Sequence, residues 1–227
     1  MKSFTFLLVS LSIFGNCIAQ VKWDVKAGLN YSNVIAKDGD GNSASTSPVP
    51  GIYLGFGLGV PLSNQFSIQS SLVYAKRGFK APESSPIGWG KGFDARVSYL
   101  ELPVSLRYSP KIGPGRLLVA AGPYLGYGTG GTWHTDEAAA IGDILIGNKG
   151  DVKFQDDASY GDYGTYVYGK PWDYGAHISI GYSLVDRYTL SFGLQQGIAD
   201  LQSRWADYQP DRTLRNRAMS VTIGYSF

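Results

Sequence analysis

Cysteine, histidine and charge are all scarce in this chain. It has one cysteine, two histidines and 17% charged residues, with a formal net charge of +2. Cys17 lies at the end of an N-terminal apolar run, so the rest of the chain has no disulfide framework and no thiol chemistry. Beyond that run no stretch of 18 apolar residues occurs, which excludes membrane-spanning helices. No concentrated basic patch is present, which argues against nucleic acid as a partner.

The N-terminus has the pattern of a secretory signal peptide. Lys2 precedes an apolar run, and Cys17-Ile18-Ala19 supplies small residues before Gln20. The run is too short for a transmembrane helix, which needs about 20 apolar residues. We therefore expect a signal peptide at residues 1–19 and a mature domain at 20–227. A lipoprotein signal that acylates Cys17 is the alternative, although the residues just before Cys17 fit it poorly.

Glycine and tyrosine are abundant, with 30 and 16 residues, and apolar residues alternate with small or polar ones. The C-terminal segment shows the alternation best. Its apolar face contains Met219, Val221, Ile223, Tyr225 and Phe227, and its other face Ala218, Ser220, Thr222, Gly224 and Ser226. A period of two predicts a strand with one apolar face. Repetition of such segments, each roughly 10 residues long, is typical of a transmembrane β-barrel whose apolar face meets lipid.

Eight segments have this pattern, so we expect an all-β fold, an eight-stranded antiparallel up-and-down transmembrane β-barrel. They are residues 22–35, 51–60, 66–79, 95–108, 116–127, 172–184, 187–198 and the C-terminal segment. The links between them alternate in length. The long ones are residues 36–50, 80–94, 129–171 and 200–216. Because outer-membrane barrels have short periplasmic turns and long extracellular loops, both termini are expected in the periplasm.

Aromatic residues lie near the ends of the predicted strands. Trp23, Tyr108, Trp172, Tyr225 and Phe227 are therefore candidates for membrane-interface positions, where an amphipathic ring sits at headgroup level. Ordinary packing of strand aromatics in a core is the alternative interpretation.

Several polar residues are expected to face the lumen. The charged ones are Asp24, Lys26, Arg77, Glu101 and Arg107, and the uncharged ones are His177 and Gln69. An eight-stranded barrel is just wide enough to be filled by side chains, and buried charges must be paired or hydrated. We therefore expect a network of ion pairs that closes the lumen. A gate or a narrow ion path is the alternative.

The segment Tyr99-Leu100-Glu101-Leu102-Pro103 and its continuation to Tyr108 resemble a strand of a small porin-like outer-membrane β-barrel family. That family is abundant in Bacteroidetes and includes the PorT-type proteins. Residues 28–32, 121–126 and 173–201 are similar to further strands of the family. The resemblance implies a fold and an outer-membrane location and says little about activity. The long link 129–171 departs from the family pattern.

Link 129–171 also contains residues that could carry chemistry. His134, Asp136 and Glu137 form a candidate catalytic group near the outer rim, although such residues in a polar loop are usually only solvated. Asp151, Asp156, Asp157 and Asp162 suggest calcium, but their spacing does not match an EF-hand loop. Residues 138–141 could form a helical turn.

From these patterns we expect an outer-membrane protein that acts as a structural or surface-interaction protein through its extracellular loops. A narrow pore for small solutes or ions is the alternative, and an enzyme that uses loop or rim residues is a more distant one. The expected partners are outer-membrane lipid, the barrel-assembly machinery and an unidentified extracellular ligand. We expect a monomer without cofactor, metal or enzymatic activity.

Overall fold

The computed structural model describes residues 21–83, 85–141 and 144–227, so the predicted signal peptide lies outside the described part. Its strands are β1 (Lys22–Asp38), β2 (Ser47–Pro61), β3 (Phe66–Ala81), β4 (Phe93–Tyr108), β5 (Lys111–Ile112), β6 (Gly115–Ile141), β7 (Ile144–Phe154), β8 (Tyr166–Gly169), β9 (Trp172–Leu184), β10 (Tyr188–Gly197) and β11 (Arg212–Ser226). A single 3-10 turn, Ala158–Tyr160, lies between β7 and β8. Within the described ranges, no helix is long and apolar enough to cross a membrane.

Eight strands pair antiparallel in a closed ring, which confirms the predicted barrel. The order around the ring is β1, β2, β3, β4, β6, β9, β10 and β11. The ring closes where β1 pairs with β11, from Asp24 opposite Ser226 to Asp38 opposite Arg212. Closure leaves no unpaired strand edge, which a bilayer requires.

Short connections and long connections lie at opposite ends of the barrel. The chain termini share one end with the β2–β3, β4–β6 and β9–β10 connections. The β9–β10 connection is a tight hairpin of three residues, 185–187, in which Val185 and Asp186 adopt φ of 53° and 56°.

The long link 129–171 contains more regular structure than the sequence pattern indicated. β6 continues to Ile141 instead of ending near residue 127, and β7 pairs back onto it as a hairpin. The expectation of a helical turn at residues 138–141 is therefore wrong. β8 then pairs parallel with β7, with Val152 opposite Tyr166. Backbone pairing of Ala139, Ala140 and Ile141 with β7 favours the extended conformation over a local helical turn.

The alternation of polar and apolar residues inverts part-way along the strands. In the lower half of β4, which is nearer the chain termini, Leu102 and Leu106 are exposed on the outer wall, while Glu101 is buried inside. On the upper half the buried residues are apolar, including Phe93 and Val97. An apolar outer wall suits lipid, and a polar outer wall over an apolar interior suits water. The inversion therefore marks the level at which the strands leave the membrane.

The upper end of the barrel, where the long connections lie, is filled by a hydrophobic core. Strands of the ring and the link 129–171 both contribute to it, with Phe79, Phe93, Val97, Tyr99, Trp133, Val152, Tyr166, Tyr168 and Leu201 among its buried residues. Phe154 lies over Gly128, where any Cβ would clash with the Phe154 ring. The hairpin and β8 therefore fold into the mouth of the barrel as part of its interior packing.

Candidate functional site

A buried ionic layer crosses the lumen below the hydrophobic core. Arg77 Nη2 lies 2.6 Å from Glu101 Oε1, and Arg77 Nη1 lies 3.8 Å from Asp173 Oδ2. The Arg77 guanidinium also stands 5.5 Å and 5.9 Å from the ring centroids of Tyr99 and Tyr124. Both ring faces attract the cation. Asp173 lies at a buried inward position of β9, and it was not among the lumen charges expected from the sequence.

Hydrogen bonds join this ionic layer to the hydrophobic core above it. Asn216 Nδ2 donates to Asp173 Oδ2 and to the Tyr99 hydroxyl, both at 3.0 Å. The Tyr168 hydroxyl donates to Asn216 Oδ1 at 3.0 Å, and the Tyr124 hydroxyl donates to Asp173 Oδ2 at 3.1 Å. Because Tyr168 belongs to β8, the inserted segment is bonded to the same network as the barrel wall.

A second polar layer lies nearer the chain termini. Gln69 Nε2 donates to Asp24 Oδ2 at 2.6 Å, and Lys26 Nζ lies 3.4 Å from Asp24 Oδ1. Arg107 donates to Gln69 Oε1. Gly57 leaves space for this cluster, since a Cβ there would come within 2.9 Å of Asp24 Oδ1. The structure thus separates the five predicted lumen charges into two layers.

A polar cavity of about 80 Å³ separates the two layers. Lys26, Glu101, Arg107 and His177 line it, and Gln195 Nε2 donates to Glu101 Oε2 at 3.2 Å. His177 is half-buried, and its Nδ1 has no hydrogen-bond partner among the described residues. A vestibule of about 260 Å³ at the terminal end shares the lining residue Arg107 with this cavity.

The five candidate interface aromatics lie on the barrel wall near its two ends. Trp23 stacks on Phe56 with ring centroids 5.4 Å apart, and Tyr225 contacts Phe227 at 5.2 Å. Tyr108 contacts Phe66 at 5.0 Å. At the other end Trp172 meets Tyr127 edge to face at 4.9 Å. These aromatic pairs lie on neighbouring strands or at the C-terminus.

A cleft of about 560 Å³ opens at the outer end of the barrel. Three segments line it: the β3–β4 link, the region from β7 to β8, and the β10–β11 link. The aromatic lining residues are Trp89, Tyr163, Tyr166, Tyr168 and Trp205, and the polar ones include Asp162, Gln202, Ser203 and Arg212. Tyr163 and Trp205 are 66% and 61% exposed, so their rings are accessible from solvent.

A hydrogen bond and aromatic packing hold the β7–β8 region to the β3–β4 link, and a second hydrogen bond joins that region to β6. Trp89 packs edge-on against Trp133 and Tyr166, with centroid distances of 5.2 Å and 5.1 Å. The Tyr166 hydroxyl donates to the carbonyl of Ile87, and Trp133 Nε1 donates to the carbonyl of Gly164 at 2.9 Å. The aromatic floor of the cleft is therefore fixed by polar contacts at several ring edges.

The β10–β11 link is held to the same region from the other side. Asp157 Oδ1 accepts from the backbone N–H of Ser159 at 2.9 Å and from that of Ala206 at 3.0 Å. Its Oδ2 lies 3.3 Å from Arg204 Nε. The hydrogen bonds from Ser159 and Ala206, with the nearby Arg204, hold the pKa of Asp157 below its usual value. Asp157 is therefore ionised at neutral pH and ties the two segments together.

The remaining candidate residues of the link have separate structural roles. Glu137 pairs with Lys91 at 3.1 Å, and His134 lies opposite Lys149 on an exposed strand position. Asp162 pairs with Lys153, whose ammonium lowers the pKa of the Asp162 carboxyl. Across the described residues, no group of three histidine, cysteine, aspartate or glutamate side chains is arranged to hold a metal ion.

The profile of the family described as outer membrane protein beta-barrel domain matches residues 16–203. The chain belongs to this family. It is thus a β-barrel protein of the Gram-negative outer membrane. A comparison with curated proteins finds no match.

Solved structures of several outer-membrane proteins are similar in fold. Ail of Yersinia pestis, in complex with the heparin analogue sucrose octasulfate, is 11% identical, with 92% of this chain and 99% of that chain covered and a TM-score of 0.43. OprG of Pseudomonas aeruginosa is 11% identical, with 91% and 95% covered and a TM-score of 0.44. Neisserial surface protein A is 12% identical, with 90% and 97% covered and a TM-score of 0.44.

Proposed function

We propose that this outer-membrane barrel is a surface-binding protein whose outer cleft takes an extracellular ligand. The observation that carries the proposal is the cleft of about 560 Å³ with accessible aromatic rings, whose three lining segments are joined by hydrogen bonds. Sites for small ligands are commonly preformed, largely apolar and supplied with a few polar groups that fix orientation. This cleft meets each of those conditions.

The lining of the cleft favours a ligand with apolar faces and polar edges, such as a saccharide. Tyr163 and Trp205 offer ring faces to solvent, and large rigid rings supply contact area at low entropic cost. Arg212, Gln202 and Asp162 lie around them and can hydrogen bond to hydroxyl or carboxylate groups. The preformed geometry lowers the ordering cost of binding.

The packing of the lumen favours a closed barrel over a pore. The Arg77–Glu101–Asp173 layer and the hydrophobic core above it occupy the upper lumen, and the enclosed cavity below measures only about 80 Å³. We accordingly infer no steady conductance in a planar bilayer. A steady ohmic conductance of the refolded protein would favour the pore. We infer no catalytic role for His134, Asp136 or Glu137. We also propose that the protein belongs to the PorT-type branch of the family, on the basis of the motif at residues 99–108.

The test is a binding screen of the refolded protein on saccharide and peptide arrays. Trp205→Ala and Tyr163→Ala are expected to abolish binding of any ligand that the wild-type protein retains. Tyr160→Ala is the matched control, because Tyr160 is 77% exposed in the same region but does not line the cleft. Equal loss in all three variants, or no loss in the cleft variants, would contradict the proposed site.

A further inference from the structure

A groove on the outer wall of the barrel shares no lining residue with the outer cleft, and it shares His177, Ile178, Leu194 and Gln195 of the wall with the lumen cavity. It has a volume of about 780 Å³ and runs across β6, β9, β10, β11 and β1. Its floor is formed by small side chains, since Ala121 and Ala176 are exposed wall residues. The larger side chains of Ile178, Leu194 and Met219 border it. Small residues between larger ones leave room for a flexible apolar chain against the wall.

The upper end of the groove is polar and basic. Arg217 lies directly opposite Asn33 on the neighbouring strand and opposite Gln196 on the other side, and all three line the groove. Arg215 follows two positions further along the same outer face. Among the residues that the structure describes, neither Arg215 nor Arg217 forms an ion pair.

Asn33 supplies a second observation that points to a ligand. Its side chain is 97% buried, because its relative exposure is only 3%, yet neither amide atom has a hydrogen-bond partner in the described structure. A buried amide without a hydrogen-bond partner is destabilising, because it has lost its bonds to water. A polar group that enters the groove beside Arg217 can satisfy it.

The position of this polar end matches the membrane boundary. Below it the outer wall of β11 is apolar, with Met219 and Val221 exposed, and above it the outward positions are Arg217 and Arg215. Tyr31, opposite Met219, lies at the same level and is 47% exposed. Outward-facing cations at the interface attract anionic headgroups.

We propose that this groove is a binding site for one phosphorylated glycolipid of the outer leaflet. An acyl chain lies on the Ala121–Ala176 floor, a phosphate pairs with Arg217 and Arg215, and Asn33 hydrogen bonds to the headgroup. Guanidinium groups suit this role because they bind phosphate oxygens in pairs. The occupant is a lipid and not a second protein, since the groove lies on the apolar wall and only its upper end is charged.

The test measures lipid binding to the full refolded protein by native mass spectrometry. The probes are bisphosphorylated lipid A and the same lipid after removal of its phosphates. Wild-type protein is expected to retain the phosphorylated form preferentially. Arg215→Gln combined with Arg217→Gln should weaken that binding by roughly tenfold or more, and added salt should weaken wild-type binding too.

Two further variants test whether the loss of lipid binding is specific to the groove. Lys76→Gln combined with Arg96→Gln removes the same charge from exposed outward positions on β3 and β4, away from the groove, and should leave binding unchanged. Asn33→Leu changes no charge and should still weaken binding. Equal retention of both lipid forms would overturn the proposal. Equal weakening by the control pair would also overturn it, because the effect would then be general surface charge.

Discussion

The Arg77 guanidinium and the Glu101 carboxylate meet inside the barrel at 2.6 Å, and each side chain is only 3% exposed. Asp173 lies on the other side of Arg77, at 3.8 Å, so one cation is shared between two buried carboxylates. Removal of the shared cation leaves two buried acids facing each other, whereas removal of one acid leaves an ion pair. The contributions of the three residues to stability are therefore unequal.

We expect Arg77→Met to destabilise the barrel more than Glu101→Gln does. Leaving a buried charge without a partner costs about 3–5 kcal/mol. Glu101→Gln should cost less, because Arg77 still pairs with Asp173. Urea unfolding of the refolded protein in detergent, followed by heat-modifiable gel migration, measures the difference. Asp156→Asn, in the link outside the lumen, is the control and should shift the midpoint little. Equal midpoints for Arg77→Met and the control would exclude a stabilising role for the layer.

The alternating pattern was enough to predict the barrel but not the interior of its outer end. The eight segments, the short and long links and the apolar wall follow from period-two patterning, because lipid and lumen impose opposite polarities. A signal for the outer end is nevertheless present in the sequence and was not used, because Phe93, Ala95 and Val97 alternate with Asp94 and Arg96 on β4. It indicates strands that continue above the membrane around an apolar core.

Other parts of the site depend on contacts between residues far apart in sequence. Asp173 lies 96 positions beyond Arg77, and only the ring order of β3 and β9 brings both to one layer of the lumen. The parallel pairing of β8 with β7 has no local signature, since a four-residue strand is too short to show a period. These contacts follow from tertiary packing.

The outer wall is tested at Val221, which is 53% exposed in the middle of β11. Val221→Arg should cost about 2–4 kcal/mol if the position lies near the bilayer midplane, because a charge would face lipid. Val221→Leu keeps the surface apolar and should be close to neutral. Reversible folding into liposomes measures both. A Val221→Arg protein as stable as Val221→Leu would show that this face does not meet lipid.

The structure changes the expected effect of an arginine at Thr222, the inward position next to Val221. The alternating pattern alone predicts that arginine at Thr222 costs less than arginine at Val221, because an inward charge does not face lipid. Thr222 is only 6% exposed and lines the cavity of about 80 Å³ together with Lys26 and Arg107. We therefore expect Thr222→Arg to destabilise through crowding and like-charge repulsion, and Thr222→Ser to be tolerated. Refolding yields in the same liposomes distinguish these outcomes.

Acid should release the β10–β11 link before it unfolds the barrel. Because the pKa of Asp157 is lowered in the folded state, the stability it contributes is present above the ordinary aspartate pKa. That contribution is lost as pH falls below about 4 and through the lowered value. The fluorescence difference between wild-type protein and Trp205→Phe reports the local change. Asp157→Asn should remove this transition, and a transition that persists unchanged in Asp157→Asn would have another origin.

The hydrophobic core at the outer end is tested by removing what the inserted segment contributes to it. From the sequence, replacing residues 132–169 with a short Gly-Ser bridge is expected to leave a folded, membrane-inserted and heat-modifiable barrel. The structure places Trp133, Phe154 and Tyr168 from that segment against Phe79 and other wall residues. Loss of a single buried Phe or Trp side chain typically costs about 3–5 kcal/mol.

We now expect the deleted protein to insert, because the ring pairings of β6 with β9 end at residue 127, but to unfold at a clearly lower urea concentration. Its outer end should also become sensitive to protease. Tyr168→Phe removes only the hydrogen bond to Asn216 and should cost about 0.5–1.5 kcal/mol. Tyr163→Phe, at an exposed hydroxyl bonded to the Leu145 carbonyl, is its control and should cost less. An unchanged unfolding midpoint after the deletion would mean that the segment covers the barrel without stabilising it.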